Sequence, residues 1–314
     1  MRGYEAMKVL VTGAGGMLGR ALTGAWRELG RDDELIGITR AAADLRDARV
    51  VSEAVERIRP DVIVHTAARV GGIGANIAAP AQFLSDNLRI DTSVIGAALH
   101  SGVEEFVYLG SSCMYPRDYR QPLVETDILQ APLEPTNEGY AIAKIAGAKL
   151  CAYTSREHSV NYRVIIPSNL YGPYDHFGSM ASHLVAAALH KAHLARQSGD
   201  ETIDVWGDGT ARREFTYVGD LAGWIAENIG HVAEWPDMMN VGIGKDYSVR
   251  EFYEAALRAV NYRAELRFDP SKPAGMMQKL MDSSLARQHG WDPRTDIDQG
   301  MARTYTAYLE SATA

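Results

Sequence analysis

Tyr140 and Lys144, in the run Tyr-Ala-Ile-Ala-Lys, are one turn apart and share a face of any helix that carries them. A cationic neighbour lowers a phenol's pKa from about 10, which suits Tyr140 for passing a proton to a substrate oxygen. Alone, this pair is common by chance and is often just an exposed helix pair. Ser111, 29 residues earlier, supplies a hydroxyl able to hold a carbonyl oxygen. Two residues further on, Cys113 lies in Gly-Ser-Ser-Cys-Met-Tyr-Pro; Cys151 is the only other cysteine. A cysteine at 113 is a packing residue, a disulfide partner, a metal ligand or an acid/base. Two cysteines in 314 residues argue against a disulfide framework and fit a reducing cytosol. Cys151, in an apolar helical run, reads as packing, whereas Cys113 sits among polar residues at the end of an apolar run. His183, His190 and His193 fall roughly on one helical face, but the stretch offers no thiolate or carboxylate at zinc-site spacing, so no metal is expected and His190 and His193 read as solvated.

These groups need elements to position them. Residues 8–30 read as strand, glycine turn and helix. Strands follow at 35–40, 62–68, 106–112 and 162–173, with helices at 50–60, about 81–101 and about 137–157. Near-continuous apolar strands alternating with amphipathic helices indicate an α/β fold, a Rossmann-type doubly wound parallel sheet covered on both faces. Beyond 173 the pattern loosens: a helix near 180–196, the short segments DVWGDG, REFTYVGD and MNVGIG, a helix at 248–260 and a closing helical segment. We expect a cofactor-binding domain over 7–175, rejoined by about 214–247. A smaller α/β lobe would use 176–213 and about 248–314, interleaved with it. A strand begins almost at once, so the N-terminus does not read as a signal peptide, and Met7 is a plausible start.

GAGGMLG (13–19) is a G-x-x-G-x-x-G turn between strand and helix. Gly13 allows the tight turn, Gly16 lets backbone approach a pyrophosphate, and Gly19 lets helix and strand pack closely, while the helix N-terminus offers free N–H groups. This points to a dinucleotide. An acid at the end of the second strand would take a ribose diol and imply NAD. That strand instead ends in Thr39-Arg40, and Arg40 can pair with a 2′-phosphate, favouring NADP(H). Asp44 is better placed to cap or to face adenine. Lys144 can then reach the nicotinamide ribose.

Glycine turn, strand-end serine and Tyr-x-x-x-Lys, in that order, resemble the extended short-chain dehydrogenase/reductases that modify nucleotide-linked sugars. Within that group the chain closely resembles the GDP-L-fucose synthase family, over nearly its whole length. The resemblance rests on AARVGGI (67–73), LGSSCMYP (109–116), LEPTNEGYAIAKIAGAKLC (133–151), PSNLYGPYDHF (167–177), SHL (182–184), VWGDGTARREF (205–215) and DPSKP (269–273). It implies an NADPH-dependent enzyme that epimerises C3 and C5 of GDP-4-keto-6-deoxy-D-mannose and then reduces the C4 ketone, giving GDP-L-fucose. Ser111, Tyr140 and Lys144 would serve the ketone, and Cys113 and His183 the epimerisation, since thiol and imidazole both titrate near neutral pH. Cofactor contacts are implied at Gly13, Ala14, Gly15, Gly16, Met17, Leu18 and Gly19, at Arg40, Asp44 and Leu45, at Ala67 and Ala68, and at Leu109, Gly110 and Ser111. Tyr140, Lys144, Pro167, Ser168, Asn169, Leu170 and His183 complete that set. The GDP-sugar is assigned Lys191, Trp206 and Arg213, with Lys279, Arg212 and Lys272 as weaker candidates. Two departures stand out. The family's Asn-Glu-Pro-Tyr has Gly139 for proline, and its Lys-Pro-Asp-Gly has Ala274 for the acid. Relatives of colitose or 6-deoxy-heptose type are the alternative substrates, and a non-catalytic NADP-binding protein the alternative class.

Net charge is −8, with no dense Lys/Arg run, so nucleic acid and anionic membranes are not expected partners, and an anionic ligand must meet locally placed cations. No apolar run approaches ~18 residues, the length a membrane span needs. A cytoplasmic homodimer is what the resemblance implies.

Overall fold

The computed structural model describes residues 6–178, 182–272 and 275–313. The chain opens with β1 (Lys8–Thr12), α1 (Met17–Glu28), β2 (Glu34–Ile38), α2 (Ala48–Ile58) and β3 (Val62–His65). It continues through α3 (Ile73–Ala78), α4 (Pro80–His100), β4 (Glu105–Leu109), α5 (Glu138–His158) and β5 (Asn161–Pro167). Then come β6 (Asn169–Tyr171), α6 (Leu184–Ser198), β7 (Thr202–Trp206), β8 (Arg212–Arg213), β9 (Phe215–Tyr217), α7 (Val218–Asn228) and β10 (Met238–Val241). The last elements are β11 (Tyr247–Ser248), α8 (Val249–Val260), β12 (Glu265–Asp269), β13 (Gln278–Lys279), α9 (Ser284–Gln288) and α10 (Ile297–Thr313).

Six strands form one parallel sheet in the order β10-β5-β4-β3-β1-β2. All four residues of β3 are buried, as a strand covered on both faces requires. Leu22, Trp26, Leu221 and Ile225 of α1 and α7 pack on one face; Val51, Val94, Ala141 and Ile145 of α2, α4 and α5 pack on the other. The chain moves outward from β1 to β2 and crosses back to β3, so the crevice beyond the ends of β1 and β3 is the switch point where ligands bind in such sheets. A third apolar cluster joins α6, α8 and α10 to β7 through Leu189, Phe252, Met301 and Ile203.

The expected strands all end early at one edge. Those read to 40, 68 and 112 stop at Ile38, His65 and Leu109. The one read over 162–173 breaks at Ser168, whose N–H donates to the Val241 carbonyl (3.0 Å) and whose hydroxyl bonds that of Thr216 (2.7 Å). The chain thereby leaves the main sheet, and β6 pairs with β9 instead. The helix expected from 180 begins at Leu184, and 179–181 lie outside the described residues. Asp44 caps no helix: Asp47 does so for α2, accepting from the Arg49 N–H at 3.0 Å.

Candidate active site

The glycine turn is built as its spacing demands. Gly13 has φ +72, and a Cβ there would lie 2.7 Å from the Ala67 Cα; one on Gly19 would lie 2.6 Å from the Ala14 Cα. α1 starts at Gly16 with no capping side chain and no acid in its first turn, so its first N–H groups and positive dipole end face the turn. By contrast Ser248 and Glu251 cap α8 reciprocally, at 3.2 and 2.6 Å. An uncapped N-terminus beside a glycine cradle fits a diphosphate. Because the sheet is parallel, Arg40 and the pairs Ala67–Ala68, Leu109–Gly110 and Pro167–Ser168 follow their strands at the same edge as that turn. Arg40 is exposed. Asp44 is drawn aside by Arg46 (2.7 Å), whose hydrogen bonds hold its carboxyl well below the usual range, and the Leu45 side chain lies in the core.

Ser111 starts a single 3-10 turn, Ser112–Met114, and accepts the Cys113 N–H at 3.3 Å. Its hydroxyl also bonds the Tyr140 phenol, so Ser111, Cys113 and Tyr140 share one pocket. The Asn137 amide donates to the Cys113 sulfur at 3.1 Å, and the buried Lys279 ammonium reaches the Ser112 hydroxyl at 3.5 Å. Ser112 in turn donates to the Asn169 side-chain amide oxygen, Oδ1, at 3.4 Å. Tyr140 differs from expectation: burial and the Cys113 sulfur push its phenol up, against the Ser111 hydrogen bond. The Lys144 ammonium is turned to Asp91 (3.8 Å) and the Tyr108 ring (4.5 Å to its centroid), and does not lower the phenol. A raised phenol is still a competent donor to an alkoxide, and at neutral pH it carries the proton that ketone reduction consumes. Gly139 begins α5 where a Cβ would meet the Pro80 carbonyl oxygen at 2.7 Å, so the glycine lets α5 approach the start of α4.

His183 precedes α6 and is accessible to solvent. The protein packed around it pushes the imidazole down, while Asp175 pulls it up. Asp175 accepts the His176 N–H at 2.7 Å through one oxygen, and its other oxygen is buried without a hydrogen bond. His190 and His193 are half-buried rather than freely solvated, and bond the hydroxyls of Tyr308 (3.0 Å) and Tyr305 (2.9 Å) where α6 packs against α10. No cluster of three or more His, Cys, Asp or Glu suited to a metal occurs among the described residues.

Of the sugar-nucleotide candidates, Trp206 is 59% exposed at the end of β7, an open stacking surface. Lys191 donates to the Asp204 carbonyl (2.7 Å), which sets it near the same strand. Arg213 and Lys279 stand opposite each other on paired strands β8 and β13, and burial pushes both down while Glu134 pulls both up. Arg212 is committed to Asp246 (2.8 Å), and Lys272 is exposed. Pro273 and Ala274 lie outside the described residues.

Sequence reasoning missed a buried network beneath Tyr140. His65, Asp91, Tyr108 and Lys144 are each at most 2% exposed. Asp91 accepts from the Tyr108 hydroxyl (2.5 Å) and from His65 Nε2 (3.0 Å), and His65 Nδ1 meets the Thr12 hydroxyl at 2.6 Å. These residues come from β1, β3, α4, β4 and α5, and polar residues in apolar runs were the one signal available.

Residues 9–242 match the model of the NAD dependent epimerase/dehydratase family. The chain belongs to that family. Within it, the chain is 43% identical to a GDP-L-fucose synthase of Azorhizobium caulinodans, covering 97% of each. It is 40% identical to a GDP-L-colitose synthase of Yersinia pseudotuberculosis, over 96% of this chain and 98% of that one. A solved GDP-mannoheptose C4 reductase of Campylobacter jejuni, with NADP bound, superposes with a TM-score of 0.87 at 28% identity, over 98% and 100% of the two chains.

Proposed function

We propose that the chain is an NADP-dependent epimerase and reductase that converts GDP-4-keto-6-deoxy-D-mannose to GDP-L-fucose. The observation that carries this reading is that the Tyr140 phenol bonds the Ser111 hydroxyl and feels the Cys113 sulfur, which sets a ketone proton donor beside a candidate carbon acid/base. Ser111 and Tyr140 hold the C4 oxygen and so stabilise the enolate formed when a neighbouring carbon loses its proton. Cys113 and His183 take and return protons at C3 and C5 on opposite faces of the ring. When bound, the reduced nicotinamide supplies hydride to C4; Tyr140 gives its phenolic proton to the C4 oxygen, completing the alcohol. The uncapped start of α1 holds the cofactor diphosphate, Arg40 its 2′-phosphate, and Lys144 the nicotinamide ribose. Leu170, next to Asn169, closes the nicotinamide side. Lys191, Arg213 and Lys279 supply cations for the GDP diphosphate in a protein of net charge −8, and Trp206 offers a face for stacking.

In this reading residues 7–175 and 214–247 bind cofactor, and 176–213 with 248–314 form the sugar-nucleotide lobe. β10 lying beside β5, and the separate apolar cluster of α6, α8 and α10, support that division. A homodimer through α5 is supported by Ile142 and Tyr153, 42% and 52% exposed on that helix. No helix among the described residues is long and apolar enough to cross a membrane, and the two free cysteines support a cytoplasmic location.

Mixing the protein with NADPH and GDP-4-keto-6-deoxy-D-mannose should consume the nicotinamide absorbance and give GDP-L-fucose; no consumption sinks the reading. The Yersinia relative favours a second reading, a colitose-type enzyme. Counting deuterons acquired from heavy water separates them, since inversion at C3 and C5 labels two carbons and inversion at one labels one.

A further inference from the structure

Lys144 presents a physical problem that Asp91 solves. An ammonium only 2% exposed is destabilised relative to the neutral amine, and burial does push this lysine down. The groups that face it are the Asp91 carboxylate, His65, the Tyr108 ring and the Cys151 thiol, with the Tyr140 phenol beside Tyr108. Burial pushes Tyr108, Tyr140 and Cys151 up, so they stay protonated and neutral, and burial pushes His65 down, so its imidazole is neutral as well. Asp91 is therefore the one anion facing Lys144 among the described residues.

The carboxylate is itself tightly held. One oxygen takes the Tyr108 hydroxyl at 2.5 Å; the other takes His65 Nε2–H at 3.0 Å and faces Lys144 at 3.8 Å. Because Asp91 only accepts, the His65 proton is on Nε2, and Nδ1 accepts from the Thr12 hydroxyl at 2.6 Å. Thr12 immediately precedes Gly13, so the network runs from the phosphate turn to the lysine. Gly147 on α5 makes room for it: a Cβ there would strike the Tyr108 hydroxyl and lie 2.9 Å from the Asp91 oxygen. A glycine inside a helix costs about 1 kcal/mol relative to alanine, and here it permits the close approach of α5 to that hydroxyl.

We propose that Asp91 is a positioning residue for the reduction step: its clamped carboxylate keeps Lys144 charged and aimed, while His65, Thr12 and Tyr108 hold the carboxylate still. This rests on the reading of Lys144 as the ribose contact. Two measurements separate them. The first uses the cofactor-free protein, comparing thermal stability from pH 6 to 9 for Asp91→Asn, Lys144→Met and the double variant. Without its counter-ion, Lys144 loses its proton at lower pH. The deficit of Asp91→Asn should therefore be greatest at pH 6, shrink as pH rises, and lose its pH dependence in the Lys144→Met background. A deficit independent of pH, or unchanged in that background, makes Asp91 merely structural and overturns the proposal. If Asp91→Asn does not fold, Tyr108→Phe, which removes one donor to the carboxylate, must show the same trend at smaller amplitude or the proposal falls.

The second measures NADPH affinity by its fluorescence. Asp91→Asn should weaken binding about tenfold at pH 8, far less at pH 6, and less than about twofold when Lys144 is already methionine. Equal weakening at both pH values overturns the proposal. Lys144→Met binding NADPH as tightly as the parent removes the ribose role and leaves the stability cycle to decide the electrostatic one.

Discussion

The pocket has a dry floor and an open wall. Under Tyr140 lie Lys144, Asp91, His65 and Tyr108, almost wholly out of contact with solvent. Outside that network, among the residues proposed to meet the sugar nucleotide, Cys113 is half-buried, His183 accessible and Trp206 exposed. The floor must keep one protonation pattern through every turnover, and a low-dielectric network with paired charges does that. The wall must give up and regain protons and admit a large anionic ligand, which a sealed network prevents. In the proposed reading, proton exchange at carbon falls to the wall and a fixed charge pattern to the floor.

The largest effects should expose this split. Cys113→Ser should slow deuterium exchange into the product by ~10²–10⁴-fold while leaving the melting temperature within a degree or two, measured by mass spectrometry and calorimetry. Asp91→Ala should do the reverse first, costing about 3–5 kcal/mol in denaturant unfolding because Lys144 is left buried and unpaired. If the two variants lose stability alike, floor and wall are not distinct.

Next in size is a pH effect below the wall. Glu214 is 1% exposed, takes the Gly244 and Met281 N–H groups (2.7 and 3.0 Å), and burial raises it to about 7. A carboxyl raised this way holds its proton more tightly folded than unfolded. Its favourable contribution is present below about pH 4.5 and is lost as pH rises toward 7, by up to about 3 kcal/mol. Glu214→Gln should flatten melting temperature against pH over that range; an unchanged slope would assign the titration elsewhere. Smaller still, Trp206→Ala should raise KM for the sugar nucleotide about tenfold with kcat nearly unchanged, as expected of a contact made equally in ground and transition states. Last, iodoacetamide should label Cys113 and spare Cys151, which is fully buried.

Much of the wall was legible because it is written in residue type and local spacing. The glycine turn, Ser111 and Tyr140 stand out within a few residues, while the proposed role of Cys113 came from the family resemblance. The floor was not, because Thr12, His65, Asp91, Tyr108 and Lys144 come from five elements that only the sheet order brings together. The partnership of Tyr140 with Lys144 was misjudged for the same reason: local spacing showed the cation, and the distant carboxylate that captures it was invisible. Strand ends were overextended at β2, β3, β4 and β5 alike. Small or apolar residues continue past β3, β4 and β5, and Thr39-Arg40 past β2, but the backbone turns away there. Asp44 and Asp47 differ by three positions, and only the turn geometry decides which one caps α2.

Gly147 sets a trap for anyone seeking a hardier enzyme. Replacing helix-interior glycines by alanine is a standard route to thermostability, and Gly24, Gly96 and Gly223 have open space where a methyl would go. The same exchange at Gly147, on helix propensity alone an equally attractive choice, would drive a methyl into the Tyr108 hydroxyl and lever α5, with both Tyr140 and Lys144, off its seat.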